Sequence, residues 1–258
     1  MAVGTDGEYH RLNGFENPWD RLQVLSYMIF VFLIISYYIL LVPLSETAEA
    51  FAAVYAVLLA CVVPLAITSS RTDPVDSCVL NHRAGVANST LPGYDESSLL
   101  YCCYCKTHVQ KRSKHCRACN KCVSDFDHHC KWLNNCIGGK NYRYFLVLIA
   151  ATAGLTGFHA GTNAAVAYAA WTDDSFLDPR RPRLPASLQT ASRQDLLAYL
   201  TVSAAVGCLT CLLLLHLVTF HGYLIWAGLS TYDYILLQRE KNKPKTGEAT
   251  AGSGGGDG

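Results

Sequence analysis

A dense group of cysteine and histidine residues occupies the middle of the chain. Between residues 102 and 136 there are eight cysteines and four histidines. They are Cys102, Cys103, Cys105, Cys116, Cys119, Cys122, Cys130 and Cys136, with His108, His115, His128 and His129. Cys-x2-Cys is a common half-site for zinc, because the turn between the two cysteines directs both sulfurs at one ion. Two such pairs with interleaved histidines therefore predict zinc binding in this segment.

Twelve candidate ligands are more than zinc binding requires. Two closed tetrahedral sites use eight ligands and leave four of the twelve over. Asp127, His128 and Cys130 form a set suited to nucleophilic catalysis, because a neighbouring base makes a thiol reactive. An aspartate that orients the imidazole would complete a triad-like arrangement. Spacing alone leaves open which of the adjacent histidines, His128 or His129, is a metal ligand and which is the base.

Four long windows free of charge, apart from one residue, flank this segment. They cover residues 22–42, 48–68, 144–171 and 196–227, and the exception is Glu49 at the start of the second. Each is at least as long as the roughly 20 residues that a membrane-spanning helix needs. A buried helix of a soluble protein would explain one such window but not four. The first is too long for a signal-peptide core, so we expect a signal anchor.

The distribution of lysine and arginine predicts the orientation of these spans. Seventeen of the 21 lie before the first window, between the second and third, or after the fourth. The positive-inside rule therefore places both termini and the cysteine-rich segment in the cytosol. Four arginines on the other side, at 180, 181, 183 and 193, count against this orientation. Closely spaced cysteines in the reducing cytosol are metal ligands or catalytic groups more often than disulfides.

The predicted fold is an all-α integral membrane protein. It has four transmembrane helices and a cytosolic zinc-binding cysteine-rich module of short hairpins between helices 2 and 3. No internal repeat is visible, and a net charge of +1 gives no reason to expect a nucleic-acid partner. The predicted parts are a cytosolic N-terminal segment (1–21), helices 1 and 2 (22–68), a cytosolic linker (69–100), the zinc module (101–143), helices 3 and 4 (144–227) with a luminal loop (172–195), and a cytosolic tail (228–258) whose low-complexity end is disordered.

The spacing of the module resembles that of a known family. The frame reads Cys102-x2-Cys105-x9-His115-Cys116-x2-Cys119-x2-Cys122-x4-Asp127-His128-His129-Cys130-x5-Cys136. It is similar to the cysteine-rich domain of the Asp-His-His-Cys (DHHC) protein S-acyltransferases, or palmitoyltransferases. The resemblance implies two structural Zn²⁺ ions, each closed by four protein ligands. The implied ligands are Cys102, Cys105, His115 and Cys122 for one ion, and Cys116, Cys119, His129 and Cys136 for the other.

The resemblance also implies a reaction. Cys130 would be the nucleophile, His128 the base, and Asp127 the group that orients His128. A long-chain acyl group, palmitoyl in this family, would pass from acyl-CoA to Cys130 and then to cysteines of membrane-associated proteins at the cytosolic face. A membrane enzyme suits this chemistry, because an acyl chain prefers hydrocarbon by about 0.8 kcal/mol per methylene while the CoA polyanion prefers water. The implied location is the endomembrane system, in the endoplasmic reticulum or Golgi.

An acyl cavity between the helices is a further implication of the resemblance. Trp132 and Phe145 would line its mouth, and Leu155 stands where the third span sets its depth in the family. Three basic residues near the interface would either contact CoA phosphates or be ordinary positive-inside residues; they are Lys131, Lys140 and Arg143.

Two supporting motifs match the family with substitutions. Asp73-Pro74-Val75 stands where the family has Asp-Pro-Gly, and Ser230-Thr231-Tyr232-Asp233 stands where it has Thr-Thr-x-Glu. The first keeps the Asp-Pro pair, and the second keeps two hydroxyls and a carboxylate. Lys131 replaces the proline that often follows the nucleophile.

Two other interpretations remain alongside the acyltransferase. A non-catalytic membrane adaptor could use the zinc module to bind proteins, but it would not need Asp127, His128 and Cys130 together. A zinc sensor or transporter would want acidic or histidine residues within several spans, and the windows offer almost none. Cys78 and Cys103 are additional candidates for acylation.

Overall fold

The four apolar windows form four long helices, as the sequence predicts. The computed structural model describes residues 2–3 and 9–243. The helices that are long and apolar enough to cross a membrane are Arg21–Leu44, Ala48–Arg71, Tyr142–Thr172 and Arg193–Ala227. They extend the predicted windows by three residues at most at either end. The prediction of a four-helix membrane protein with a cysteine-rich module between helices 2 and 3 is confirmed.

The elements follow one another along the chain in this order. The helices are α1 (Arg21–Ser36), α2 (Val42–Leu44), α3 (Ala48–Arg71), α4 (Ser77–Arg83), α5 (Tyr142–Thr172), α6 (Ala186–Gln189), α7 (Arg193–Ala227) and α8 (Thr231–Lys241). Short 3-10 turns lie at Asn88–Thr90, Glu96–Ser98 and Arg181–Arg183. The strands are β1 (Ala2–Val3), β2 (Tyr9–His10), β3 (Leu100–Cys102), β4 (Thr107–Val109), β5 (Lys114–Cys116), β6 (Lys121–Val123), β7 (His128–Cys130) and β8 (Asn135–Ile137).

The first span is a continuous helix with a local change of winding. A π-helical segment, Tyr37–Leu41, joins α1 to α2. Pro43 is the second residue after this segment and has no N–H to donate to the carbonyl four residues earlier, which lies within it. A wider turn accommodates such a gap in the hydrogen-bond ladder.

A buried polar layer connects all four spans. His159 Nε2 lies 2.9 Å from Ser203 Oγ, which in turn donates to Ser36 Oγ at 3.1 Å. On the other side of the ring, Tyr55 lies 3.5 Å from His159 Nδ1, and its own ring stacks on Tyr37 at 3.8 Å. Polar groups in an apolar bundle have few alternative partners, so this layer fixes how the helices pack against one another.

The cysteine-rich module consists of three antiparallel hairpins with the same register. They are β3–β4, β5–β6 and β7–β8. Cys102, Cys116 and Cys130 each end the first strand of a hairpin and pair with the first residue of its second strand. These cysteines recur at intervals of 14 residues. The expectation of no internal repeat was therefore wrong: backbone geometry repeats while most side chains between the ligands differ.

Residues 9–18 of the N-terminal segment form a strap that lies across the module. Arg11 N–H donates to the Cys119 carbonyl, and His10 Nδ1 lies 2.7 Å from the Asn120 carbonyl. Gly14 N–H donates to the Ser70 carbonyl at the end of α3. The sequence of this segment shows no helix or strand periodicity, and only the tertiary contacts show that it has a defined position.

The loop between the third and fourth spans is fastened by its arginines. Their partners are Glu46 for Arg180, Asp178 for Arg181, the Ser45 carbonyl for Arg183, and Asp174 for Arg193. These contacts give the four arginines a structural role that accounts for their presence on this side of the bundle.

The tail begins with a helix. Gly228, at φ 67°, ends α7 in a left-handed conformation that suits glycine, and α8 starts three residues later. The low-complexity end for which we predict disorder falls within residues 244–258 and lies outside the described residues.

Candidate active site and metal centres

Two clusters each bring three cysteines and one histidine together. The first contains Cys102, Cys105, His115 and Cys122, and the second contains Cys116, Cys119, His129 and Cys136. In each cluster the ligand atoms all lie within 4.8 Å of one another. These are the two sets that the resemblance implies. His129 belongs to a cluster, and His128 does not.

The distances inside the clusters suit one tetrahedral ion each. With metal–sulfur bonds of about 2.3 Å, tetrahedral geometry separates two sulfurs by about 3.8 Å. The sulfurs of Cys105 and Cys122 are 3.7 Å apart, and those of Cys119 and Cys136 are 3.4 Å apart. Each cluster can hold a metal ion, and three thiolates with one imidazole are a donor set consistent with zinc.

The hairpin repeat explains why one cysteine is left outside the clusters. Each cluster joins the Cys-x2-Cys turn of one hairpin to the His–Cys cross-strand pair of the next hairpin. In the third hairpin Leu133 stands where the second cysteine of the turn would be. The chain then continues into α5 instead of a fourth hairpin. Cys130 therefore has the backbone position of a ligand but no partners for a metal.

The alternation of strand β7 separates the two adjacent histidines. Successive side chains of a strand point to opposite faces, so His128 and Cys130 share one face and His129 points to the other. His128 Nδ1 lies 2.7 Å from Asp127 Oδ2, and the Cys130 thiol is a second hydrogen-bond partner of this imidazole. The buried Cys130 packs among Phe145, Leu133 and other apolar side chains. The predicted set of aspartate, histidine and cysteine is thus assembled in one place.

Hydrogen bonds outweigh burial in the electrostatics of this set. Burial alone would raise the pKa of Asp127, but the bonds from His128 and Thr231 hold this pKa below its usual value. Burial alone would lower the pKa of His128, but its bonds to Asp127 and Cys130 raise it to about 9. The arrangement therefore stabilises the imidazolium that forms when His128 takes up a proton beside the Asp127 carboxylate.

Helix α8 holds the aspartate. Thr231 donates its backbone N–H to Asp127 Oδ1 and its hydroxyl to Asp127 Oδ2, both at 2.8 Å. Ser230 and Asp233 cap the same helix reciprocally, since the Ser230 hydroxyl bonds the Asp233 N–H and carboxylate. The Ser-Thr-Tyr-Asp motif thus presents a helix N-terminus, which favours negative charge, to the carboxylate of Asp127.

Comparison with known proteins agrees with this geometry. The family model of DHHC palmitoyltransferase matches residues 95–238, which is more than half of the chain. This chain belongs to the DHHC palmitoyltransferase family. The matched range contains the three hairpins, both metal clusters, the third and fourth spans and most of α8.

Individual relatives of this DHHC family member cover most of its length. Palmitoyltransferase ZDHHC11 of Danio rerio is 31% identical over 92% of this chain and 59% of its own length. Palmitoyltransferase ZDHHC1 of Mus musculus is 33% identical over 93% of this chain and 53% of its own length. Probable protein S-acyltransferase 20 of Arabidopsis thaliana is 36% identical over 57% of this chain and 21% of its own length. The chain thus spans little more than half the length of the two animal relatives.

Three buried asparagines of this DHHC family member position the third hairpin, and sequence reasoning missed them. The Asn135 amide donates to the carbonyls of Ser69, Ser70 and Thr72 at the end of α3. Asn141 donates to the Ser69 carbonyl as well. Asn134, in turn, donates to carbonyls of the N-terminal strap. Asn135 and Asn141 thus satisfy carbonyls at the end of α3 and fix the hairpin that carries Cys130 to this helix, and Asn134 fixes the same hairpin to the strap.

The Asp-Pro motif of the DHHC family member fastens the second hairpin. Asp73 Oδ1 accepts from Lys121 Nζ at 2.5 Å, and the Pro74 carbonyl accepts from Ser124 N–H. Val75, the residue that departs from the family pattern, is buried and forms a β-bridge with Val123. The substitution of glycine by valine therefore adds apolar packing at this contact.

The candidate cavity residues do not lie together. Phe145 packs in the same buried cluster as Cys130, and its ring is 5.3 Å from that of His128. Trp132 lies in the turn of the third hairpin and is 47% exposed. Leu155 is buried in the core of the bundle, in a different cluster. Ten residues of helix separate it from Phe145, or about 15 Å at 1.5 Å per residue.

The remaining cysteines and basic residues divide by exposure. Cys78 is buried, and this burial together with the nearby Asp76 carboxylate raises the pKa of its thiol to about 11. Cys103 is exposed. Lys131, Lys140 and Arg143 are all exposed, and Lys140 in addition donates to the Val75 carbonyl.

Proposed function

We propose that this chain is a protein S-acyltransferase that moves a long-chain acyl group, palmitoyl as in the names of its relatives, from acyl-CoA to protein cysteines. The observation that supports the proposal best is the position of Cys130. It lies outside both metal clusters, and His128 beside it is held by Asp127. A non-catalytic adaptor would not require Cys130, His128 and Asp127 to lie together.

In the first step, His128 accepts the proton of the Cys130 thiol. The thiolate attacks the carbonyl carbon of the acyl-CoA thioester, and the bond between that carbon and the CoA sulfur breaks. The CoA sulfur leaves with the proton that His128 returns. The product is a thioester between the acyl group and Cys130.

In the second step, a cysteine of the target protein replaces CoA. His128 accepts the proton of the acceptor thiol, and the new thiolate attacks the acyl carbonyl carbon. The bond to Cys130 breaks, and the Cys130 sulfur regains a proton from His128. Asp127 keeps its hydrogen bond to Nδ1 throughout, so the other nitrogen of the ring remains available to the reacting thiols.

The two metal sites have a structural role in the proposal. Zinc bound there would supply cross-links between successive hairpins, because four protein ligands leave no open position for substrate. The second site includes His129 and Cys136, a cross-strand pair on the face of the third hairpin opposite to His128 and Cys130. Its ion would therefore fix the strand that carries His128 and Cys130.

The membrane setting completes the proposal. Both termini and the module face the cytosol from the membrane of an endomembrane compartment, the endoplasmic reticulum or Golgi, where palmitoyl-CoA and membrane-associated target proteins meet.

The acyl chain enters between the helices past Trp132 and Phe145 toward Leu155, and exposed Lys131 and Arg143 face the CoA phosphates. An epitope tag after residue 243 tests the orientation, because antibody should reach it when only the plasma membrane is permeabilised.

The decisive experiment is direct detection of the acyl-enzyme. Purified protein and its Cys130→Ser variant are incubated with palmitoyl-CoA, and intact mass is measured before and after hydroxylamine. We expect an adduct of one palmitoyl group on the wild type alone, and hydroxylamine should remove it because it is a thioester.

Cys103→Ser is the matched control. It removes an exposed thiol of the same module and should leave the adduct unchanged. A folded wild-type sample that contains two zinc ions and forms no adduct would contradict the proposal and favour the adaptor. An adduct that persists in Cys130→Ser would place the nucleophile elsewhere.

A further inference from the structure

A second histidine lies beside the reacting set, and the proposed mechanism does not use it. His221 is on α7, near the end of the fourth span, and is 1% exposed. Its ring is 5.9 Å from the ring of His128 and 5.1 Å from that of Phe145. One ligand atom each from Asp127, His128 and His221 lies within 4.8 Å of the others. These three groups thus form one polar pocket at the junction of module and membrane bundle.

The His221 ring is also held by a residue of the third span. Tyr142, the first residue of α5, places its hydroxyl 3.1 Å from His221 Nδ1. The two rings are also 5.8 Å apart, and Phe145 contacts both. The hydrogen bond determines which nitrogen of His221 faces Tyr142. The other nitrogen and the ring edge are left for the pocket that contains His128.

A metal site is the first alternative for two histidines and a carboxylate. The Asp127 oxygens, however, already accept three hydrogen bonds, one from His128 and two from Thr231. A cation would have to displace these partners. Simple packing is the second alternative, but a phenylalanine would fill the same space without requiring a tyrosine hydroxyl as a partner.

We infer that His221, held by Tyr142, is a positioning residue for His128 in acyl transfer. The inference rests on the proposed function. Asp127 fixes Nδ1 of His128 but leaves its ring free to tilt about that hydrogen bond. Phe145 and His221 form the walls that limit this tilt, at ring distances of 5.3 and 5.9 Å. A polar wall also suits a pocket in which charge develops on the imidazole during the reaction.

The test measures two quantities for each variant: the rate of Cys130 acylation at saturating palmitoyl-CoA, and the KM for palmitoyl-CoA. His221→Phe keeps an aromatic ring at this position but removes the two ring nitrogens, and Tyr142→Phe removes only the hydroxyl. We expect His221→Phe to lower the maximal rate about tenfold or more, with KM within about twofold, since a lost positioning contact affects the transition state and not substrate binding. Tyr142→Phe should lower the rate several-fold, and the double variant should be no slower than His221→Phe.

Conservative replacement separates positioning from packing. His221→Asn can place a polar atom near the position of Nδ1, so it should recover part of the rate that His221→Phe loses. The matched control is His216→Phe, the same substitution at an exposed position of the same helix, and it should acylate like the wild type. Zinc content and thermal unfolding show whether each variant is folded. If His221→Phe fails to fold, Tyr142→Phe and His221→Asn decide the question.

The outcomes distinguish this inference from the proposed function. A wild type without an adduct contradicts the proposed function itself. A wild type that forms the adduct together with an equally fast His221→Phe overturns the role of His221 alone. A higher KM at an unchanged maximal rate would make His221 a contact for acyl-CoA, which also overturns the positioning role.

Discussion

Thr231 binds both carboxylate oxygens of Asp127, one through its backbone N–H and one through its hydroxyl, at 2.8 Å each. The two residues are 104 positions apart in the chain. This contact makes the helix after the last span a direct support for the reacting set, since the same carboxylate orients His128. The position of the C-terminal motif therefore has a mechanistic reason.

The contact predicts a rate effect for Thr231→Val. Valine keeps the shape of threonine and the backbone bond but removes the hydroxyl bond to a charged oxygen, worth about 1.5–3 kcal/mol. We expect Cys130 acylation to slow about tenfold, and zinc content to stay at two per chain. Thr219→Val is the control, because the Thr219 hydroxyl bonds only a carbonyl of its own helix. Equal rates for both variants would show that the backbone bond suffices.

Two adjacent histidines should fail in different ways. His128→Ala should keep both zinc ions and lose acylation by at least about a hundredfold, because the base is removed. His129→Ala should lose about one zinc ion per chain and destabilise the third hairpin, because it removes a ligand of the second cluster. Metal analysis with the acylation assay separates the two effects. Loss of zinc from His128→Ala would show that the ligand assignment is wrong.

The ligands of the first cluster should affect folding more than chemistry. His115→Ala or Cys122→Ala opens the site that joins the first two hairpins, away from the face that carries Cys130. We expect reduced zinc content and easier unfolding in both variants, with the remaining zinc in the second cluster. Cys103→Ser, at the exposed cysteine beside the same site, should retain two zinc ions. Full zinc occupancy in His115→Ala would contradict the assignment.

The buried lysine of the module should be a stability determinant. Lys121 is 0% exposed, and its ammonium group bonds Asp73 and the carbonyls of Arg11 and Leu12. Lys121→Met removes the ammonium donor from the two carbonyls and leaves Asp73 with the Val75 N–H alone, and we expect a loss of about 2–4 kcal/mol in the free energy of unfolding. Asp73→Asn should cost less, since the side chain at this position is 26% exposed and an amide oxygen can still accept a hydrogen bond from Lys121. Thermal unfolding of the double variant should show a smaller loss than the two single losses combined, which additive losses would contradict.

One glycine of the strap is predicted to be irreplaceable. A Cβ at Gly14 would lie 2.0 Å from the Leu133 carbonyl oxygen, in the turn that follows Cys130. Gly14→Ala must therefore move the strap off the third hairpin, and we expect slower acylation and a lower midpoint of thermal unfolding. Gly154→Ala is the control, because no atom lies within 4 Å of its Cβ and alanine favours a helix. A fully active and stable Gly14→Ala would contradict the close approach.

The sequence by itself determined the spans and the group of cysteines, histidines and Asp127 from which metal ligands and reacting groups are drawn. Charge-free length is a property of each segment alone, so the four spans agree with their windows to within three residues. Ligand spacing is similarly local, because a Cys-x2-Cys turn prepares half of a metal site before any other contact forms. The residue types and their spacing, however, did not distinguish His128 from His129, and the resemblance to the family assigned their roles.

Only the tertiary structure decided how these parts are held together. The alternation of side chains along β7 separates His128 from His129. The hairpin repeat is visible in the shared backbone register, because most side chains of the hairpins differ. Thr231 and His221 reach the site from α8 and α7, and Asn135 fixes the third hairpin to the end of α3. A side chain that meets its partner across 63 to 104 residues leaves no local pattern in the sequence. Such contacts are set by the packing of the four helices on the module, which is a property of the whole chain.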